Sequence, residues 1–177
     1  MEIADKNVMM KVLDSCYEKA LTGLPTSESV YDLADEYCRK YSDSKVAAKK
    51  LCNAQVLKCG TSGFITGLGG IITMPVAIPA NISSVIYVQL RMVAAIARIG
   101  GYDPSDDEVR TMAYVCLTGT AAADILKKNG IVIGEKGAIN LVKLVPVAGG
   151  LVGGGVDIAS TKQIAKVAYK MFIEGEI

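Results

Sequence analysis

Two charges stand where the surrounding sequence is otherwise apolar. Arg91 closes a run of 32 residues, Cys59 to Leu90, that carries no charge. Asp157 closes a second uncharged run, Leu144 to Val156. A charge in an apolar interior must be paired or reach water. Two chemistries follow. In one, an Arg91–Asp157 ion pair joins two core helices. In the other, Arg91 sits at the mouth of an apolar cavity and holds a lipid phosphate or a carboxylate with its planar fork of donors. Arg98, seven residues on, shares the helix face of Arg91 and would assist. Asn81, Tyr87, Gln89 and Asp124 are the other polar groups in apolar company. Asn81, Tyr87 and Gln89 join Arg91, Arg98 and Asp157 as the candidate lipid- or ligand-binding set. Buried polar groups of this kind ordinarily satisfy backbone or neighbours rather than do chemistry.

Lys162, Lys166 and Lys170 recur every fourth residue and form a basic stripe, with Ile164, Val167, Ala168 and Met171 opposite. Such a stripe rests on anionic headgroups or is simply a solvated face. Asp103, Asp106, Asp107 and Glu108 cluster four carboxylates within six residues. They lack the spacing and glycine of a calcium loop, and helix capping with the helix dipole accounts for them. There is no histidine, and none of the five cysteines forms a CxxC pair. No metal site or cofactor is therefore expected, and Cys-His and Ser-His-Asp mechanisms are excluded. Gly67-Leu68-Gly69-Gly70 lacks the GK[ST] ending of a phosphate loop and follows no strand. Nothing points to a Ser-Lys or lone-carboxylate enzyme, although neither is excluded.

The elements that must position these residues read as helices almost throughout. Hydrophobic residues make up 51% of 177, and mean hydropathy is +0.35. Residues 1–58 hold 18 of the 37 charges, so the first third resembles a soluble surface and the rest is lipid-like in its apolarity. The net charge of +1 argues against a nucleic-acid partner. Apolar spacing predicts helices over Ile3–Leu21, Glu28–Tyr41 with Ser27 as N-cap, and Lys45–Lys58 capped by Ser42-Asp43-Ser44. Another runs from Pro79 to Ile99, apolar nearly all round and therefore central, and ends at Gly100-Gly101. Pro104 opens the next, with Ser105 and Glu108 as a capping box and an end near Lys128. A short element over Gly134–Lys143 and a long helix over Pro146–Phe172 complete the chain. The fold class is all-α: one domain, 1–177, a bundle of six to seven helices. Residues 1–58 form amphipathic charged helices, and 59–172 the apolar core.

Glycines pattern that core. Gly60 to Gly70 is a glycine-rich helix or a helix broken by a loop, and Pro75 with Pro79 disfavours a regular helix through 71–78. Gly63/Gly67, Gly149/Gly153 and Gly150/Gly154 place small residues on one helix face, where two backbones approach closely in lipid or in a soluble core. A glycine-rich central hairpin is the expectation.

Residues 61–110 resemble the EcsC family of bacterial proteins. The matching words are Gly63 to Gly70 (GFITGLGG), Ile78-Pro79-Ala80-Asn81, Gln89 to Ala97 (QLRMVAAIA) and Gly101-Tyr102-Asp103. A second block, Pro146 through Gly154, Asp157, and Ile164 to Phe172, is similar to the family's C-terminal end. The first fifty or so residues carry no matching word. The resemblance implies a helical fold and an association with membrane or lipid; the family lends no enzymatic activity and no catalytic residue.

The leading expectation is a non-enzymatic helical protein that engages lipid. Its apolar segment lines a cavity or inserts reversibly in the bilayer, breaking near Pro75 and Pro79, while the N-terminal helices cover it in water. The alternatives are a soluble scaffold or regulator that binds a partner protein or its own copy, and an enzyme on an apolar substrate using Arg91 and Asp157. Scattered free cysteines and an N-terminus without an apolar leader predict a cytoplasmic location, peripheral to the inner face of the membrane where lipid is engaged.

Overall fold

The computed structural model describes residues 6–60, 80–117 and 154–175, with side chains at 10–60, 84–117 and 158–175. Among these residues there are six α-helices and no strand. They are α1 Lys6–Thr22, α2 Val30–Lys40, α3 Ser44–Cys59, α4 Ala80–Ile99, α5 Asp107–Cys116 and α6 Gly154–Tyr169. A π-helical turn, Lys170–Glu174, continues α6 and ends at Gly175 in the left-handed conformation. The glycine-rich hairpin expected over 63–80 and 144–156 lies outside the described residues, apart from the first turn of α6. So do Gly134–Lys143 and the continuation of α5 toward Lys128.

The helix α4 is central, as its composition demands. Every residue from Ser84 to Ala97 is buried, and α1, α2, α3, α5 and α6 all pack on α4. The apolar positions of α2 that recur at helical spacing, Val30, Leu33 and Ala34, are buried, and Tyr37 is half-buried beside them. Burying each large apolar side chain contributes about 1.5–3 kcal/mol.

The ends of α4 and the start of α2 explain how the chain reaches its site. After Ile99 the amides of Gly101 and Tyr102 bond the carbonyls of Arg98 and Ala97, at 3.1 and 3.0 Å. Gly101 sits at φ 91, which closes a Schellman motif. Gly100 is needed for a different reason: a Cβ there would lie 2.2 Å from the carbonyl oxygen of Phe172. Tyr102 follows the motif and packs edge-on against Phe172, with ring centroids 5.3 Å apart.

Three local expectations are corrected. The N-cap of α2 is Ser29, not Ser27; its hydroxyl accepts from the Asp32 amide at 3.1 Å. Gly23, at φ 84, turns the chain so that Leu24 and Ser27 exchange two backbone bonds. That small turn holds Ser27 outside the helix. Ser105 and Glu108 do not cap α5, because the Ser105 amide and hydroxyl both donate to Asp103 Oδ1, at 2.9 Å each. The helix starts after Asp106 instead. Asp43, within the expected Ser-Asp-Ser cap, does cap α3, accepting from the Lys45 amide at 2.7 Å.

Candidate functional site

Tyr87, Arg91 and Arg98 stand four and seven residues apart on α4, so they form one stripe along it. That stripe meets the segment Ser27–Tyr31, the entry to α2. Tyr87 donates its hydroxyl to Ser27 Oγ at 3.1 Å. Arg91 Nε donates to the Glu28 carbonyl at 2.9 Å, and its terminal nitrogen lies 3.9 Å from the Glu28 carboxylate. The Arg98 guanidinium stacks over Tyr31, 5.7 Å from the ring centroid. Tyr31 in turn donates to Asp103 at 3.4 Å, tying the seam to the turn before α5.

Burial is graded along this seam. Arg91 is 3% exposed, whereas the Glu28 side chain is 59% exposed. Arg98, toward the end of α4, is exposed. Burial lowers the Arg91 pKa from its ordinary value, and Tyr87 and Glu28 oppose that. A guanidinium keeps its proton at any ordinary pH, so the result is a buried cation near a surface carboxylate. Burial pushes the Tyr87 phenol up, which keeps it a neutral donor. Lys58 of α3 belongs to the same neighbourhood. Burial lowers its pKa, then the charge of Arg91, against the pull of Glu28 and Glu36.

The structure divides the candidate set. Gln89 points to the other side of α4, where its amide donates to Thr161 Oγ1 at 3.0 Å and Ser160 Oγ at 3.5 Å of α6. It fastens two helices and stands apart from Arg91. The side chains of Asn81 and Asp157 lie outside the described ones, and the expected Arg91–Asp157 pair lies there with them; Asp124 is outside as well. Lys162, Lys166 and Lys170 are exposed on α6, while Ile164, Val167, Ala168 and Met171 are buried beneath them.

Sequence reasoning missed three residues: two beside Arg91, and one buried on α3. Glu28 and Lys58 read as ordinary surface charges, and only the packing of α2 and α3 on α4 brings them to Arg91. Gln55 is fully buried, and neither its amide nitrogen nor its oxygen has a hydrogen-bond partner among the described residues. Its register was legible, since it follows Leu51 by four residues on the inward face of α3. Its lack of a partner was not.

The arrangement can hold an anion, and the buried thiols among the described residues offer it no activated nucleophile. Burial pushes the Cys16 and Cys52 thiols up to about 12, and burial raises Cys116 further still. Such thiols stay protonated at neutral pH. Among the described residues no three His, Cys, Asp or Glu side chains converge on a metal position. Asp103 is engaged by Ser105 and Tyr31. The fold and seam together define a class: an all-α bundle with a buried arginine clasped by its N-terminal segment. No protein-family model matches the chain, and no curated protein or solved structure matches it either.

Proposed function

We propose that this is a non-enzymatic, lipid-associated helical protein of the EcsC type, whose apolar core receives an acyl chain and whose Arg91 holds the anionic group of that ligand. The reading rests on one observation above all. Arg91 is buried on the central helix, yet among the described residues the carboxylate that pairs with it belongs to a largely exposed Glu28 that stands 3.9 Å away. A phosphate or carboxylate that displaces the Glu28 carboxylate exchanges a long ion pair for charge-assisted hydrogen bonds. Lys58 adds positive charge on the same side. The amide of Gln55, without a partner among the described residues, favours a bound molecule or ordered water within the bundle, because a buried amide left unsatisfied is costly.

In this reading α1 and α2 are the cover of the apolar core in water, and the uncharged run through Pro75 and Pro79 is the part that contacts or enters lipid. The protein works in the cytoplasm at the inner face of the membrane. Native mass spectrometry of detergent-free protein, with lipid analysis of what denaturation releases, tests the proposal. A stoichiometric acyl ligand is expected, lost from Arg91→Met with helicity retained. A clean apo mass in the unaltered protein sinks it.

A second reading is a soluble helical scaffold that binds a partner protein or its own copy. It is favoured by the complete burial of α4 between Ser84 and Ala97. Among the described residues no helix is long and apolar enough to cross a membrane. A stable, ligand-free monomer or dimer is its expected result in the same experiment.

A further inference from the structure

We propose that the outward face of α3 and α6 docks on an anionic lipid bilayer. The two helices lie antiparallel. Gly60, at the end of α3, is so close to Ile158 that a Cβ there would come within 2.6 Å of its Cδ1. Lys49, early in α3, stands 5.4 Å above the ring of Tyr169, late in α6. Both helices rest on α4, so each has one face left for water.

The charge on that shared face has one sign. On α3, Lys45, Lys49 and Lys50 are exposed, and so are Lys162 and Lys166 on α6 and Lys170 at the start of the π-helical turn that continues it. Neither Ser44–Cys59 nor residues 158–173 contains an acid. Acids stand only at the margins: Asp43, whose carboxylate caps α3, Asp157 in the first turn of α6, and Glu174 at its far end. The contrast with α2 is sharp, since Asp32, Asp35 and Glu36 share that helix with Arg39 and Lys40. A solvated helix mixes signs in that way; a headgroup-binding face does not.

A second, independent observation selects the partner. The exposed large hydrophobic side chains of the described residues are Val46, Leu57 and Ile158, with Leu57 70% exposed. All three lie on α3 and α6. Lysines whose stems reach past aliphatic side chains match the interface of a bilayer, where ammonium groups meet phosphates and apolar groups enter the acyl boundary. A surface for single-stranded nucleic acid would instead present exposed aromatic rings for stacking, and the exposed large apolar side chains here are aliphatic. The face therefore fits a membrane rather than a polynucleotide. It is remote in sequence from the Arg91 stripe, and it stands if the ligand reading fails.

Vesicle sedimentation tests the proposal. The whole protein is expected to pellet with vesicles of phosphatidylcholine and phosphatidylserine, and weakly with phosphatidylcholine alone. Each lysine near an anionic surface strengthens binding about fivefold, so the triple variant Lys49→Gln/Lys162→Gln/Lys166→Gln should lower the partition coefficient on the order of a hundredfold. A control neutralised elsewhere, Lys11→Gln/Lys19→Gln/Arg39→Gln, should stay within about twofold. Leu57→Ser should cost roughly tenfold on the anionic vesicles. Equal pelleting with both vesicle types overturns the proposal, as does an unchanged partition in the triple variant or tighter binding to a DNA or RNA oligonucleotide.

Discussion

The two sides of the central helix spend charge in opposite ways. On the α1–α2 side, polar groups point inward and are tied: Tyr87 to Ser27, Arg91 to Glu28, Tyr17 to the Pro104 carbonyl at 2.9 Å, Tyr114 to Asp14 at 2.6 Å. Signs alternate there, and Arg110 pairs with Glu18 while stacking over Tyr17. On the α3–α6 side the exposed lysines share one sign and lie over an apolar floor of Leu51, Ile164 and Ala168. A buried polar group must be matched within the protein, so the first side is specified by its partners. An exposed ammonium is solvated by water and requires no buried partner, so the second side is less tightly specified by the rest of the protein.

Substitutions ordered by expected cost sharpen that contrast. Leu90→Ala, in the fully buried part of α4, should destabilise by about 2–5 kcal/mol in chemical denaturation, because it empties the layer both sides share. Tyr17→Phe should cost about 1–2 kcal/mol, since the Pro104 carbonyl is left without its buried donor. Ser29→Ala should cost about 1 kcal/mol through loss of the α2 cap, and it should loosen the seam at Glu28. Lys166→Ala, on the outward face, should move the midpoint by no more than about 0.5 kcal/mol. A lysine-face variant as costly as Tyr17→Phe would erase the distinction between the two sides.

Alkaline pH probes the buried thiols and phenols. The Cys16 thiol is raised by burial from 9.0 to about 12, with Lys19 opposing. Above pH 9 the unfolded chain therefore releases a proton that the folded chain retains. Stability from this group is full below pH 9 and is lost as pH rises toward 12. Burial raises the Tyr17 and Tyr114 phenols as well, so they act in the same direction. The denaturation midpoint should fall between pH 9 and pH 11, and less steeply in Cys16→Ala. A flat midpoint over that range would contradict the burial of these groups.

Much of the described fold was legible because local physics dictated it. The start of α4 after Pro79, its stop at Gly100-Gly101 and its burial all round followed from proline geometry, glycine at the helix end and the absence of charge. The inward positions of α2 and α6 followed from apolar spacing. The misplaced caps at Ser27 and Ser105 have a common cause: several Ser and Asp residues compete at each helix start, and the turn before it decides which one wins. Arg91 was legible as a buried charge, but its partner was not. Glu28 is 63 residues away, and no local pattern marks it.

The sequence by itself determined that the chain is helical, which helix is central, and that Arg91 needs a partner in an apolar setting. These follow from hydrophobic period, breakers and the cost of burying charge, all of which act over a few residues. Only the tertiary structure decided that Tyr87 and Arg91 face Ser27 and Glu28 while Gln89 faces Thr161. It alone laid α3 antiparallel beside α6, with Lys49 over the ring of Tyr169. Which helices become neighbours depends on how their side chains interlock across long stretches of chain, and that is a property of packing rather than of any local window.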